Sequence, residues 1–149
     1  MRFYSGILLL ILLTLVTVAC NGGGDSILEL QQEYSEVEAE VGEITQIDCP
    51  LKIPGEEEGE TYSCGVYAVP MDYISPQDGT LNITYMVLQA TGEDPLPDPI
   101  VFLAGGPGQS GIVSAGDAIY GDLRQGRDLI FPAQRGTLFS QRLACLLYT

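Results

Sequence analysis

Residues 100–111 read IVFLAGGPGQSG, an apolar run that ends in Gly105, Gly106, Pro107 and Gly108. Glycine tolerates positive φ and lets another group approach the main chain, so this loop offers backbone N–H groups with no side chains in the way. Two chemistries use backbone of that kind. Phosphate cradling takes a Gly-x-x-x-x-Gly-Lys-Ser/Thr or Gly-x-Gly-x-x-Gly pattern that opens a helix. No lysine follows here, and Pro107 removes one donor. The other chemistry is an oxyanion hole, in which N–H groups meet the negative oxygen of an acyl-transfer intermediate. Each such donor is worth about 100- to 1,000-fold in rate. The alternative is a tight turn with no chemistry.

An oxyanion hole is useful only beside an activated nucleophile, and a serine near neutral pH needs a base. The 149 residues include no histidine. Ser110, Ser114 and Ser140 all stand outside a Gly-x-Ser-x-Gly elbow, the sharp turn that exposes a hydrolase serine. The single lysine, Lys52, lies between Cys49 and Cys64, so a Ser–Lys pair finds no support. No catalytic residue is therefore expected. With no histidine and no Cys-x-x-Cys pair, no metal site is expected either, and no cofactor.

The four cysteines divide unevenly. Residues 3–19 carry no charge, follow Arg2 and lead through TVA into Cys20 and NGGG. A basic start, an apolar stretch and small residues before a cut describe a signal peptide. The run is slightly short of the about 20 apolar residues that span a bilayer. TVAC-NGGG resembles a bacterial lipoprotein box, which makes residues 1–19 the leader and Cys20 the lipidated mature N-terminus; Thr17 is a less usual residue there. Ordinary cleavage and an uncleaved anchor are the alternatives. Cys49 and Cys64 bracket a loop rich in Pro, Gly and Glu. In an oxidising compartment they read as a disulfide worth roughly 3 kcal/mol, two buried thiols being the alternative. Cys145 is left over.

Charge narrows the partners. Twenty acidic against six basic residues give −14. Such a surface repels nucleic acid, whose binding rests on phosphate neutralisation by Lys and Arg. It also gives no polybasic grip on anionic lipid.

The elements that must position the glycine loop follow from pattern. Residues 20–48 read as a tether and an acidic spacer, with Ile27, Leu30, Tyr34, Val37 and Val41 at helical spacing. From Gly65 the pattern turns to strands. GVYAVPMDY and LNITYMVLQA, separated by Asp78-Gly79 turn chemistry, predict a hairpin. PIVFL predicts a short strand covered on both faces, as in a mostly parallel sheet. Residues 115–123 predict a short helix, and DLIF the next parallel strand. The Asn82-Ile83-Thr84 sequon reads as chance.

At this point the chain resembles a known family, the secreted tripeptidyl-aminopeptidase and prolyl aminopeptidase branch of the α/β-hydrolases. The likeness covers roughly residues 49–145. Cys64-Gly65 with Val69-Pro70-Met71-Asp72-Tyr73 is similar to the family's Cys-Gly … Val-Pro-Leu-Asp-Tyr. Gly105-Gly106-Pro107-Gly108 with Ser110-Gly111 is similar to its Gly-Gly-Pro-Gly-Gly-Ser-Gly loop. Arg127-Asp128-Leu129 with Gln134-Arg135-Gly136-Thr137 is similar to its Arg-Asp-Val … Asp-Gln-Arg-Gly-Thr segment. The resemblance implies an α/β fold and a serine, histidine and aspartate acting on peptides, small esters or amides. It assigns the oxyanion loop, after the third strand, to the backbone of Gly105 and Gly106.

The departures matter as much. The family's nucleophile, acid and histidine have no counterparts here, Ala133 stands for the aspartate before Gln-Arg-Gly, and Pro132 falls in a strand. Residues 49–149 are thus expected to be a truncated N-terminal part of an α/β-hydrolase, its apolar edge uncovered, and inactive alone. A compact half-fold kept for a purpose, a non-catalytic surface lipoprotein that binds a partner, and one piece of a split peptidase are the alternatives.

Overall fold

The computed structural model describes residues 34, 36–106, 108–117 and 120–141, all within the unit Gln31–Thr149. The leader, Cys20, Cys145 and most of the proposed spacer helix lie outside the described residues. Of the described residues of that spacer helix, Tyr34 is helical and residues 36–41 are not. Instead the segment runs on into an edge strand that its composition did not announce, β1 (Ile44–Ile47).

The hairpin forms as its alternation requires. β2 (Tyr62–Pro70) pairs antiparallel with β3 (Thr80–Leu88) from Tyr62↔Leu88 to Pro70↔Thr80. Its loop holds a 3-10 turn at Pro76–Asp78 and is closed by Met71 N–H donating to Gly79 O at 2.8 Å. Strand period two sends Cys64, Val66 and Ala68 of β2, and Thr84, Met86 and Leu88 of β3, to one face, where all are buried.

β4 (Ile100–Val101) and β5 (Leu129–Pro132) complete a mixed five-stranded sheet in the order β1-β2-β3-β5-β4. β5 slots between the hairpin and β4, antiparallel to β3 and parallel to β4. Parallel neighbours require a crossover, here residues 102–128. Of the described residues in the span 115–123, where a helix is expected, 115–117 are not helical, Tyr120 is 3-10 and 121–123 are α-helical. Among its described residues the crossover has a 3-10 turn at Gly111–Ser114 and one α-helical turn, α1 (Gly121–Arg124). Gly116 and Gly121 fall within the expected span, and glycine costs a helix about 1 kcal/mol relative to alanine. The fold is therefore sheet-rich with little helix, and among the described residues no helix is long and apolar enough to cross a membrane.

Pro132 does not break its strand. Its missing N–H lies on the β4 side, because Ala133 N–H, one residue on, donates to Thr84 O of β3 at 2.8 Å. The β3 ladder continues while the β4 ladder is released after Phe102, whose N–H donates to Ile130 O at 2.8 Å. β4 leaves the sheet there, two residues before the glycine loop. It is also not covered on both faces as expected: Val101 and Leu103 are exposed while Ile100 and Phe102 pack on the core.

The core lies on one face. Met86, Leu88, Leu129 and Phe131 are sealed by Ile112, Ala115 and Tyr120 from the crossover and by Tyr34 and Phe139. Phe102, Tyr120 and Phe131 form a triangle of rings with centroids 5.2–5.6 Å apart. Cys49 and Cys64 are joined as a disulfide that fastens the 49–64 loop to β2. A second fastening comes from Arg124, buried, which pairs with both carboxylate oxygens of Glu56 and donates to Gln89 O and Thr61 O.

Candidate functional site

The sheet order brings three loops to one rim. β2 and β5 are both antiparallel to β3, so β2, β5 and β4 all run in the same direction. The loops leaving their C-terminal ends begin at Met71, Ala133 and Phe102 and hold the Met71-Asp72-Tyr73, Gln134-Arg135-Gly136 and Gly105-Gly106 segments. The three stretches set apart in sequence thus converge at strand C-termini, where open α/β sheets bind ligands.

Within the glycine loop, Gly106 adopts φ 72°, a conformation that side chains rarely take. Gln109 N–H donates to Gly106 O at 3.2 Å and closes the turn. The N–H groups of Gly105 and Gly106 meet no hydrogen-bond acceptor among the described residues. A Cβ built on Gly105 would meet nothing within 4 Å, so space stands open in front of it. Gly111 anchors the far end for the opposite reason: a Cβ there would lie 2.5 Å from Pro132 O. The loop is thus pinned to the end of β5 while Gly105 and Gly106 are exposed.

The serines have other duties. Ser140 is fully buried, accepts from Thr84 N–H at 3.2 Å and donates to Ala133 O at 2.5 Å, stitching its loop to β3 and β5. Ser110 is 2% exposed, and its hydroxyl, like that of Thr84, has no partner among the described residues. Ser114 is also buried. Among the described residues no basic or carboxylate side chain hydrogen-bonds any of the three hydroxyls. Burial raises the Tyr85 and Tyr120 phenols above the usual tyrosine value, with Asp117 adding to the effect on Tyr120, so both stay protonated near neutral pH. Among the described residues no group of His, Cys, Asp or Glu side chains has the geometry to hold a metal ion.

A cleft of about 940 Å³ lies along β1 and the start of β2, lined by Tyr34, Gln46, Asp48, Glu58 and Ser63 among others. It shares no residue with the glycine loop. Glu58 on its wall already accepts from Cys49 N–H at 2.6 Å, so this carboxylate serves the disulfide loop.

Asn82 of the sequon is 5% exposed and donates to Val37 O at 2.7 Å, which removes it from any modifying enzyme. What sequence reasoning missed is the tether on Arg135. Its Nη1 and Nη2 donate to Met71 O and Pro70 O at 3.1 and 3.0 Å, and its guanidinium stacks over Tyr73. The motif containing it was visible; its partner two strands away was not.

Compared with protein-family models and with curated proteins, the chain gives no match.

Proposed function

We propose that this domain is the N-terminal part of an α/β-hydrolase-type sheet of the secreted aminopeptidase kind, with the backbone of Gly105 and Gly106 as its oxyanion loop. The observation that carries this reading is the exposed loop beyond the C-terminal end of β4, where the N–H groups of Gly105 and Gly106 meet no acceptor among the described residues. β4 is also the third strand counted from Cys64-Gly65, where the resemblance puts the oxyanion loop. Two N–H dipoles held by a pinned loop stabilise negative charge without reorganising when it appears. Producing that charge on a peptide, small ester or amide requires a nucleophile and a base. With no histidine in residues 1–149 and Ser110, Ser114 and Ser140 buried, these residues alone do not perform the reaction.

Export belongs to the same proposal. The charge-free leader and TVAC box make Cys20 the lipid-bearing residue of an envelope protein on its extracytoplasmic face. The Cys49–Cys64 disulfide suits an oxidising compartment. A second reading, a binding module or one piece of a split peptidase, is favoured by the exposed Val101 of β4, one of the two edge strands, and Leu103 just after it, where an apolar edge invites another chain.

Amide NMR tests the first reading. Adding a short peptide phosphinate, a tetrahedral oxyanion mimic, to the ¹⁵N-labelled chain should move the Gly105 and Gly106 resonances together. A fluorophosphonate probe should leave all three serines unlabelled. Unmoved glycine resonances at millimolar ligand refute the oxyanion loop, and stoichiometric serine labelling refutes the inactivity.

A further inference from the structure

Three arginines lie among the described residues, and they are held differently. Arg124 is paired with Glu56, and Arg127 with Asp98. Arg135 has no carboxylate partner among the described residues, in a chain with 20 acidic side chains. Two backbone carbonyls, Pro70 O and Met71 O, take one N–H from each terminal nitrogen, and the Tyr73 ring centroid lies 5.5 Å from Cζ. A guanidinium has five N–H donors in a rigid fork, so three have no partner among the described residues. Carbonyls orient this cation without neutralising it. The side chain is exposed, and beside it Tyr73 and Ile74 are 69% and 92% exposed. Because β2, β5 and β4 run in the same direction, this group stands on the same rim as the glycine loop.

We propose that Arg135, with Tyr73 and Ile74, is a subsite for a carboxylate flanked by an apolar group. Its natural ligand is a short peptide whose scissile carbonyl lies at the glycine loop. The spacing rests on the oxyanion-loop reading; the charge recognition does not. Arg135 reaches the end of β2, three strand positions from β4. Three spacings of about 4.8 Å make about 14 Å, which an extended peptide crosses in about four residues at 3.3 Å each. Net charge selects further. A field from −14 charges repels polyanions, whereas a peptide with one amine and one carboxylate is neutral at a distance. It meets the guanidinium only within a Debye length of about 8–10 Å.

The test is titration calorimetry of the full chain at low salt with three tetrapeptides: a free acid, its C-terminal amide, and an amide ending in Glu. The free acid or the Glu-bearing amide should bind about threefold to tenfold more tightly than the plain amide. Whichever gains more identifies a C-terminal or a side-chain carboxylate as the source. Arg135→Gln should erase the preference, and Arg135→Lys should restore only part of it, because the fork is lost. Melting temperature and non-reducing mapping of Cys49–Cys64 verify that each variant is folded. Equal binding of acid and amide, no binding of any peptide, or a preference that survives in Arg135→Gln overturns the subsite. A lowered melting temperature in Arg135→Gln with the preference intact leaves Arg135 as a tie between loops and also overturns it. A preference that depends on Arg135 while Gly105 and Gly106 amides stay unmoved keeps the carboxylate subsite and removes the oxyanion-loop reading.

Discussion

Glycines that look alike in the sequence do opposite work. Gly105 has open space where a Cβ would be, whereas at Gly111 a Cβ would press on the Pro132 carbonyl at 2.5 Å. Backbone cannot swing aside as a side-chain tip can, so Gly111→Ala has to shift the 3-10 turn away from β5. Such overpacking costs about 1–3 kcal/mol. We expect Gly111→Ala to lower the denaturant midpoint by that amount and Gly105→Ala to change stability by no more than about 0.5 kcal/mol. Equilibrium denaturation of the two variants checks the contrast, and equal losses would mean that the loop is not pinned where the structure has it. Phe139 is a different case of local constraint: its φ is 74°, unusual for a residue other than glycine. Burial of its ring edge-on to Tyr34 holds it there.

At the scale of elements, the 49–64 loop has little core of its own and depends on two fastenings, the disulfide and the Glu56–Arg124 pair. Hydrogen bonds from Arg124 and then Thr61, with the attraction of the guanidinium, hold the Glu56 carboxyl below its ordinary 4.5 despite partial burial. A carboxyl whose folded value is depressed contributes stability that is present above the unfolded value and is lost as pH falls through the folded one. Stability should therefore decline below about pH 4.5, and Glu56→Gln should flatten part of that decline. Urea midpoints of both proteins from pH 7 to pH 3 measure it. Identical pH slopes would show that the pair contributes nothing specific. The same loop explains why β1 forms at all: with Cys49 bonded to Cys64, the chain just before it lies along β2, and Ile47↔Cys64 becomes the last rung of that ladder.

For the molecule as a whole, excess negative charge and one-sided burial set the behaviour. The −14 is what remains after all six basic residues are set against the twenty acidic ones, an excess that favours solubility and resists self-association. The export proposal is tested at this scale. Intact mass of the membrane-extracted protein should show loss of residues 1–19 and gain of lipid on Cys20, and Cys20→Ala should abolish both. A soluble mature form cut at another bond would defeat it. Non-reducing peptide mapping of the same material should find Cys49 joined to Cys64 and neither joined to Cys145.

Local pattern alone determined the hairpin, the DLIF strand, the bareness of the glycine loop and the loop cysteines as candidates for pairing. Each is written in short-range periodicity, turn chemistry or composition. That residues 1–149 hold no histidine was equally legible, since it is a matter of composition alone. Tertiary structure decided the rest. Pro132 looked like damage until the ladder showed which neighbour its absent N–H would have served. The crossover looked helical from residues 115–123, yet among its described residues one α-helical turn forms, Gly121–Arg124. Residues 36–41 carried a helical period, but Val37 O accepts from Asn82 Nδ2 and the chain runs on into an edge strand. Arg135 needed the sheet order, because the carbonyls that orient it are more than sixty residues away in sequence. Periodicity records what each residue prefers beside its neighbours; which distant groups satisfy its backbone and charge emerges only when the strands are in register.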